Sequence, residues 1–103
     1  MTKPTTDREL LELAAKAAGY EYAKHGGYIV VDGIPGNWNP LESDGDALRL
    51  AVKLGMLVDV TAFSVTAIVN GTISAQEKHN GDPYAATRRA IVRAAAAIGE
   101  GMK

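Results

Sequence analysis

The sequence predicts an α+β protein in which a mainly antiparallel sheet packs with three helices, in the element order αββαβββα. Two observations predict this class. Strand-like segments come in runs joined by short turns, and the strand–helix–strand alternation that builds a parallel sheet is missing. The length of 103 residues suits one domain with a small core, so we expect a single domain over residues 1–103.

The first helix is predicted to start at a capping box. Thr6 would cap the helix, and Glu9 would reach back to it from three residues later. Apolar residues then recur on one face at helical spacing, and Gly19 is the expected stop. These apolar residues are Leu10, Leu11, Leu13, Ala14, Ala17 and Ala18.

A hairpin is predicted after this helix. Residues 20–24 alternate as a half-buried strand does, residues 25–27 (His-Gly-Gly) allow a turn, and residues 28–31 return as a second strand. Residues 32–40 are rich in glycine, proline and asparagine, so we expect a loop there.

The second helix is expected from Ser43 or Asp44 to Leu54, and Gly55 would end it. Apolar residues cover most of its circumference. A polar stripe remains, formed by Asp46, Arg49 and Lys53. A helix this apolar normally packs on several sides, so the pattern predicts a central position or an interface.

Two roles follow for the apolar residues of the second helix. We expect Leu48 to lie in the core, together with Ile91 of the last helix. Leu50 and Val52 would lie at the interface of a homodimer, where an added charge should separate the two copies.

A second run of strands follows. Residues 56–60 and 63–69 are strand-like, and Asn70-Gly71 is a strong signal for a two-residue turn into a strand over residues 72–76. The apolar phase shifts between the first two of these strands, which predicts a bulge or a corner near Thr61.

The last helix is predicted from its cap. Asp82 would be the N-cap and Pro83 the first helical residue, and the helix would run to Ile98 with Gly99 as the stop. Its core-facing side is expected to hold Tyr84, Ile91, Ala95 and Ile98, with Arg89 and Arg93 on the solvated side.

Composition excludes several classes of function. Without cysteine, the chain has no disulfide, thiolate metal site or cysteine nucleophile. The formal net charge of −1 disfavours a nucleic acid as the main partner, because phosphate binding usually needs a basic excess. No apolar run approaches the ~20 residues that cross a bilayer, and residues 1–6 are polar. We therefore expect a cytoplasmic protein without a membrane partner.

Three blocks of the sequence resemble a known family. They are WNPL at 38–41, DGDALRLAVKLG at 44–55 and GDPYAATRRAIVRAA at 81–95. These blocks are similar to the phage ABA-sandwich domain, a family of small proteins from tailed phages and prophages. The resemblance implies a layered α/β/α sandwich and the cytoplasm of a bacterial host, and it implies no activity and no site residue.

Arg88 has two possible roles. It lies at the edge of the apolar face, about 40° around the helix from Tyr84. Its stem could cover the core while its head pairs with a carboxylate, which is the interpretation we favour. Alternatively, Trp38, Tyr84 and Arg88 could bind a small anionic ligand such as a nucleotide. For Trp38, a plug at the end of the core is favoured over stacking on a ligand.

Catalysis is the weakest hypothesis. Asp44, Asp46 and His79 could serve a metal-dependent hydrolase, but the two aspartates do not share a helical face and helix capping explains both. His25 and His79 are expected to be surface loop residues. No nucleophile elbow or phosphate-binding loop occurs, so we expect no catalytic residue, metal or cofactor.

These observations favour a small phage or prophage accessory protein that acts by binding. The partner would be a host or phage protein, or a second copy bound through the second helix. The anionic-ligand binder is the alternative, and the metal-dependent hydrolase is the weaker one.

Overall fold

A computed structural model describes residues 6–22, 28–31 and 34–102, and these residues form the predicted α+β fold. Within them lie three helices: α1 (Asp7–Ala18), α2 (Asp44–Lys53) and α3 (Pro83–Glu100). The described strands form two antiparallel sheets of three. The N-terminal sheet has the order β1 (Glu21–Tyr22), β2 (Tyr28–Val31), β3 (Ile34–Asn37), and the C-terminal sheet β4 (Leu57–Val60), β5 (Ser64–Val69), β6 (Thr72–Lys78).

Strand β3 is one strand more than the sequence predicts. The loop expected over residues 32–40 is wrong for residues 34–37, which pair with β2 in register, Gly36 opposite Ile29. The strand lies at the edge of its sheet, where a proline such as Pro35 is tolerated because its missing N–H can face away from the neighbour. The turn predicted at residues 25–27 lies outside the described residues.

The caps predicted at Thr6, Gly19 and Asp82 are confirmed. The Thr6 hydroxyl accepts the Glu9 N–H at 3.1 Å and donates to the Glu9 carboxylate at 3.0 Å. Gly19 ends α1 in the left-handed conformation, with φ of 78°. Ser43 and Asp82 cap α2 and α3 by accepting backbone N–H groups of the first turn. These local signals work because the side chain bonds to groups within three residues of it.

The turn predicted at Asn70-Gly71 is also confirmed. Asn70 and Gly71 both have positive φ, 53° and 75°, as a tight two-residue turn requires. The feature expected near Thr61 is a corner, because the Thr61 hydroxyl accepts the Ser64 N–H at 3.1 Å and closes the turn from β4 to β5. A bulge occurs elsewhere, at Ser74 of β6, which is skipped in the pairing with β5.

Helix α3 contributes to two hydrophobic clusters. The first joins it to α1, α2 and the N-terminal sheet, and its larger members are Leu10, Leu11, Ile29, Trp38, Leu50, Ile91 and Val92. The second joins it to the C-terminal sheet and consists of Val65, Ala67, Ala75, Ala86, Ala90 and Ala94. None of the helices in the described ranges is long and apolar enough to cross a membrane.

Gly99 does not end α3, so that prediction is wrong. The helix continues to Glu100, and Gly99 is a buried residue inside it. A Cβ atom built on Gly99 would overlap the backbone carbonyl of Leu13 in α1. The glycine is therefore needed for the close approach of two helices, which a single sequence does not distinguish from a helix stop.

The faces of α2 differ from the prediction. Leu50 is 1% exposed and belongs to the core, whereas Leu48 is 64% and Val52 is 72% exposed. The expectations that Leu48 is a core residue and Leu50 an interface residue are both wrong, because the first cluster takes the side of the helix that holds Ala47, Leu50 and Ala51. Ile91 is buried, as expected.

Candidate functional site

An open groove of about 670 Å³ lies between α2, α3 and β4, and we call it the apolar groove. Its volume is in the range of known binding pockets, roughly 300–1,000 Å³. Its apolar lining residues are Ala47, Leu48, Val58, Val60, Pro83 and Ile91. Its polar lining residues are Asp44, Thr61, His79, Tyr84, Thr87 and Arg88.

The groove exists because α3 covers only part of the C-terminal sheet. Val58 and Val60 of β4 stand opposite Ala67 and Val65 of β5, so all four side chains share one face of the sheet. The β5 pair is fully buried in the cluster that includes the α3 alanines. Val58 is partly buried against this cluster, whereas Val60 remains 53% exposed, so α3 leaves the Val60 end of the edge strand uncovered.

Arg88 occupies one end of the groove and is already bonded. Its Nε donates to the carbonyl oxygen of Leu41 at 2.8 Å, and its Nη1 lies 2.6 Å from the carboxylate of Asp44. The side chain is 18% exposed, so the guanidinium is largely removed from solvent. This geometry agrees with the structural role favoured for Arg88, because its ion pair with Asp44 links the start of α2 to α3.

The three residues proposed to bind an anionic ligand do not come together. Tyr84 and Arg88 both line the groove. Trp38 is buried in the first cluster, where Tyr20 and Tyr22 contact it edge-on at centroid distances of 5.9 and 6.1 Å. Trp38 therefore plugs the core. Tyr84 is 70% exposed, so its predicted core position is wrong: it lies in the first turn of α3, at the mouth of the groove.

The aspartates proposed for metal binding point to different partners. Asp46 accepts the Asn39 N–H at 2.9 Å and pairs with Arg49 at 2.6 Å, whereas Asp44 pairs with Arg88. In the described part of the chain, no three His, Asp or Glu residues form a group that could hold a metal ion. His79 lines the groove half-buried rather than at the surface. Its Nε2 has no hydrogen-bond partner among the described residues.

The other arginines of α3 are paired as well. Arg89 bonds Asp7 of α1 at 3.1 Å, and Arg93 pairs with Glu77 of β6. Among its described lining residues, the groove contains the ion pair between Arg88 and Asp44, and the rest of its accessible surface is mostly apolar. Such a surface suits the burial of apolar groups, and an anion at Arg88 would have to compete with the Asp44 carboxylate.

The valines of β4 are the site residues that the sequence did not reveal. Their alternation predicts a strand with one buried face. No feature of the nearby sequence shows that α3 leaves part of this strand uncovered. For α2 a signal was present, since Asp44, Leu48 and Val52 are spaced four apart and share one side of the helix. Comparison with protein-family models, with curated proteins and with solved structures finds no match to this chain.

Proposed function

We propose that this protein acts by binding, and that it forms a homodimer through the apolar surface around the groove. One observation carries the proposal: four large apolar side chains, each more than half exposed, lie on and beside this groove. They are Leu48, Val52, Val60 and Tyr84. A continuous exposed apolar surface on a small protein is characteristic of an interaction site.

Exposed apolar residues on α2 support a symmetric partner. Leu48 and Val52 are one turn apart on the same side of the helix, so they form a strip that a second copy can match with the same strip. The low net charge of −1 per chain allows two copies to approach without strong repulsion.

The alternatives receive less support from the geometry. A small anionic ligand such as a nucleotide would need Arg88 free, and Arg88 is paired with Asp44. A metal-dependent hydrolase would need Asp46 beside Asp44 and His79, and Asp46 is bonded to Asn39 and Arg49. Binding of an apolar surface uses the groove as it stands.

The biological setting of the proposal is an accessory protein of a phage or prophage that works in the bacterial cytoplasm. This part is supported by the resemblance of residues 38–41, 44–55 and 81–95 to the phage ABA-sandwich domain. A host or phage protein that binds the same surface would compete with the second copy.

Sedimentation velocity at low to high micromolar concentrations tests the proposal. We expect the wild-type protein to dimerise, and Leu48→Glu and Val52→Glu to remain monomeric with an unchanged fold, because both side chains are exposed in the single chain. Met102→Glu is the matched control, since Met102 is an exposed apolar residue beyond the far end of α3. A wild-type protein that stays monomeric at every concentration would refute the proposal.

A further inference from the structure

Strand β4 forms an open edge of the C-terminal sheet. The Thr61 N–H donates to the Ser64 carbonyl at 2.9 Å, which fixes the phase of the pairing between β4 and β5. Hydrogen-bonded and non-hydrogen-bonded pairs alternate along antiparallel strands, so Asp59 bonds β5 while Val58 and Val60 turn their N–H and C=O groups away from it. Among the described residues, no group forms a hydrogen bond with the backbone of these two valines on the side that faces away from β5.

The opposite edge of the same sheet is protected. The Gln76 carbonyl of β6, which points away from β5, accepts a hydrogen bond from Arg93 Nη1 at 3.2 Å. Glu77 pairs with the same arginine, and the bulge at Ser74 interrupts the edge. Bulges and charged side chains are the usual means of blocking an edge strand. Strand β4 carries one charged residue, Asp59, and no bulge or proline.

We infer that β4 pairs antiparallel with β4 of a second copy, so that the C-terminal sheet continues across the dimer. This inference rests on the proposed homodimer and specifies how it forms. A two-fold axis perpendicular to the sheet places the grooves of both copies on the same face of the continuous sheet. Since Leu48 and β4 line the same groove, the axis that joins the two β4 edges also brings the two α2 helices towards each other.

Charge selects the register of this pairing. With the groove faces aligned, residues that stand opposite each other must belong to the same face of the sheet. Centring the pair on Val58 places Leu57 opposite Asp59 of the second copy. Centring it on Asp59 would set two carboxylates directly opposite each other, which is unfavourable. Registers centred on Leu57 or Val60 pair fewer of the four residues of β4, so we assign the register centred on Val58.

Single cysteines test the register, because the chain contains none. In the assigned register Val58→Cys faces its own copy at a Cα separation of about 5.5 Å, which a disulfide can bridge. Leu57→Cys is about 7–8 Å from its copy, at or beyond the limit, and it leaves the Asp59 carboxylate in place. We expect Val58→Cys to cross-link under mild oxidation and the more exposed Leu57→Cys not to. Preferential cross-linking of Leu57→Cys, or none at either position in a proven dimer, would overturn the inference.

A proline tests the backbone hydrogen bonds. Val60→Pro removes an N–H that points to the open edge and leaves the bonds to β5 in place, whereas Val60→Thr keeps the N–H and the side-chain shape. We expect about a tenfold weaker dimer for Val60→Pro, from the loss of one bond per copy, and little change for Val60→Thr. If Val60→Pro fails to fold, the cysteine pair decides. A monomeric wild type refutes the proposed function, whereas a wild-type dimer with equal affinity in a folded Val60→Pro refutes only the β4 pairing.

Discussion

Helix α3 meets the rest of the molecule in two contrasting ways. On the side of α1 the contact is closed, because Gly99 lies directly against the Leu13 backbone. On the side of α2 and β4 the contact is open, and Leu48 and Val60 are left exposed around the groove. Small residues such as glycine allow two helix backbones to pack in direct contact, which leaves no apolar surface exposed between them. Larger apolar residues around a groove stay exposed and remain accessible to a partner.

The closed side is also fastened at both ends. Arg89 bonds Asp7 near the start of α1, and Lys16 near its end donates to the Met102 carbonyl at 3.0 Å. The two helices therefore run in the same direction along their contact. On the open side, the polar contacts among the described residues are the bonds from Arg88 to Asp44 and Leu41. The contact between α1 and α3 therefore contributes stability, whereas the groove is the proposed binding surface.

The largest expected effect separates two leucines of α2. Leu50→Ala should lower the free energy of unfolding by about 2–5 kcal/mol, because it leaves a cavity in the first cluster. Leu48→Ala should change it by no more than about 0.5 kcal/mol, since its side chain is exposed. Urea unfolding at a concentration that keeps the chain monomeric measures both. Equal losses for the two variants would mean that Leu48 belongs to the core after all.

A smaller effect is expected on the closed side. Gly99→Ala should cost about 1–3 kcal/mol, because the added methyl group meets the α1 backbone and the two helices must move apart. Gly101→Ala, where a Cβ has ordinary contacts, is the control and should be near neutral. Helix propensity alone predicts the opposite sign, a gain of up to about 1 kcal/mol for Gly99→Ala. A stabilised Gly99→Ala variant would therefore show that the helices are not in close contact.

The fastening of the open side should have the smallest effect. Arg88→Ala should cost about 1–2 kcal/mol, because it leaves the Leu41 carbonyl and the Asp44 carboxylate without their donor. Arg88→Lys should recover part of this loss, since lysine cannot make both bonds in the same geometry. Arg49→Ala removes an arginine that is 72% exposed and leaves Asp46 its hydrogen bond from the Asn39 N–H, so it should cost less than Arg88→Ala, about 0.5 kcal/mol.

Addition of phosphate distinguishes the two roles of Arg88. The structural role predicts no specific rise in the melting temperature of the wild-type protein with phosphate. A rise that is lost in Arg88→Ala, together with unchanged or higher stability of that variant, would instead support an anion site.

Local features of this fold could be predicted from the sequence, and contacts between distant segments could not. The caps at Thr6 and Asp82 and the turn at Asn70 depend on groups a few residues away, and all three were predicted. The role of Gly99 depends on α1, which lies more than 80 residues earlier in the chain.

In the candidate site, too, some features could be predicted from the sequence and others could not. The pairing of Arg88 with a carboxylate was predicted from its place at the edge of an apolar face, and the structure supplies the partner, Asp44. The groove was not predicted, because it depends on how much of the C-terminal sheet α3 covers. The exposed side of α2 was not identified either, because a helix apolar on most of its surface does not show which side the core will take.

Amide hydrogen exchange in β4, followed residue by residue by NMR at several protein concentrations, tests the claim that the open side is the interface for a second copy. The N–H groups of Leu57 and Asp59 bond β5 and should be protected at every concentration. Those of Val58 and Val60 should exchange rapidly in dilute protein and become protected as the concentration rises. Exchange at Val58 and Val60 that stays rapid at all concentrations would contradict the account.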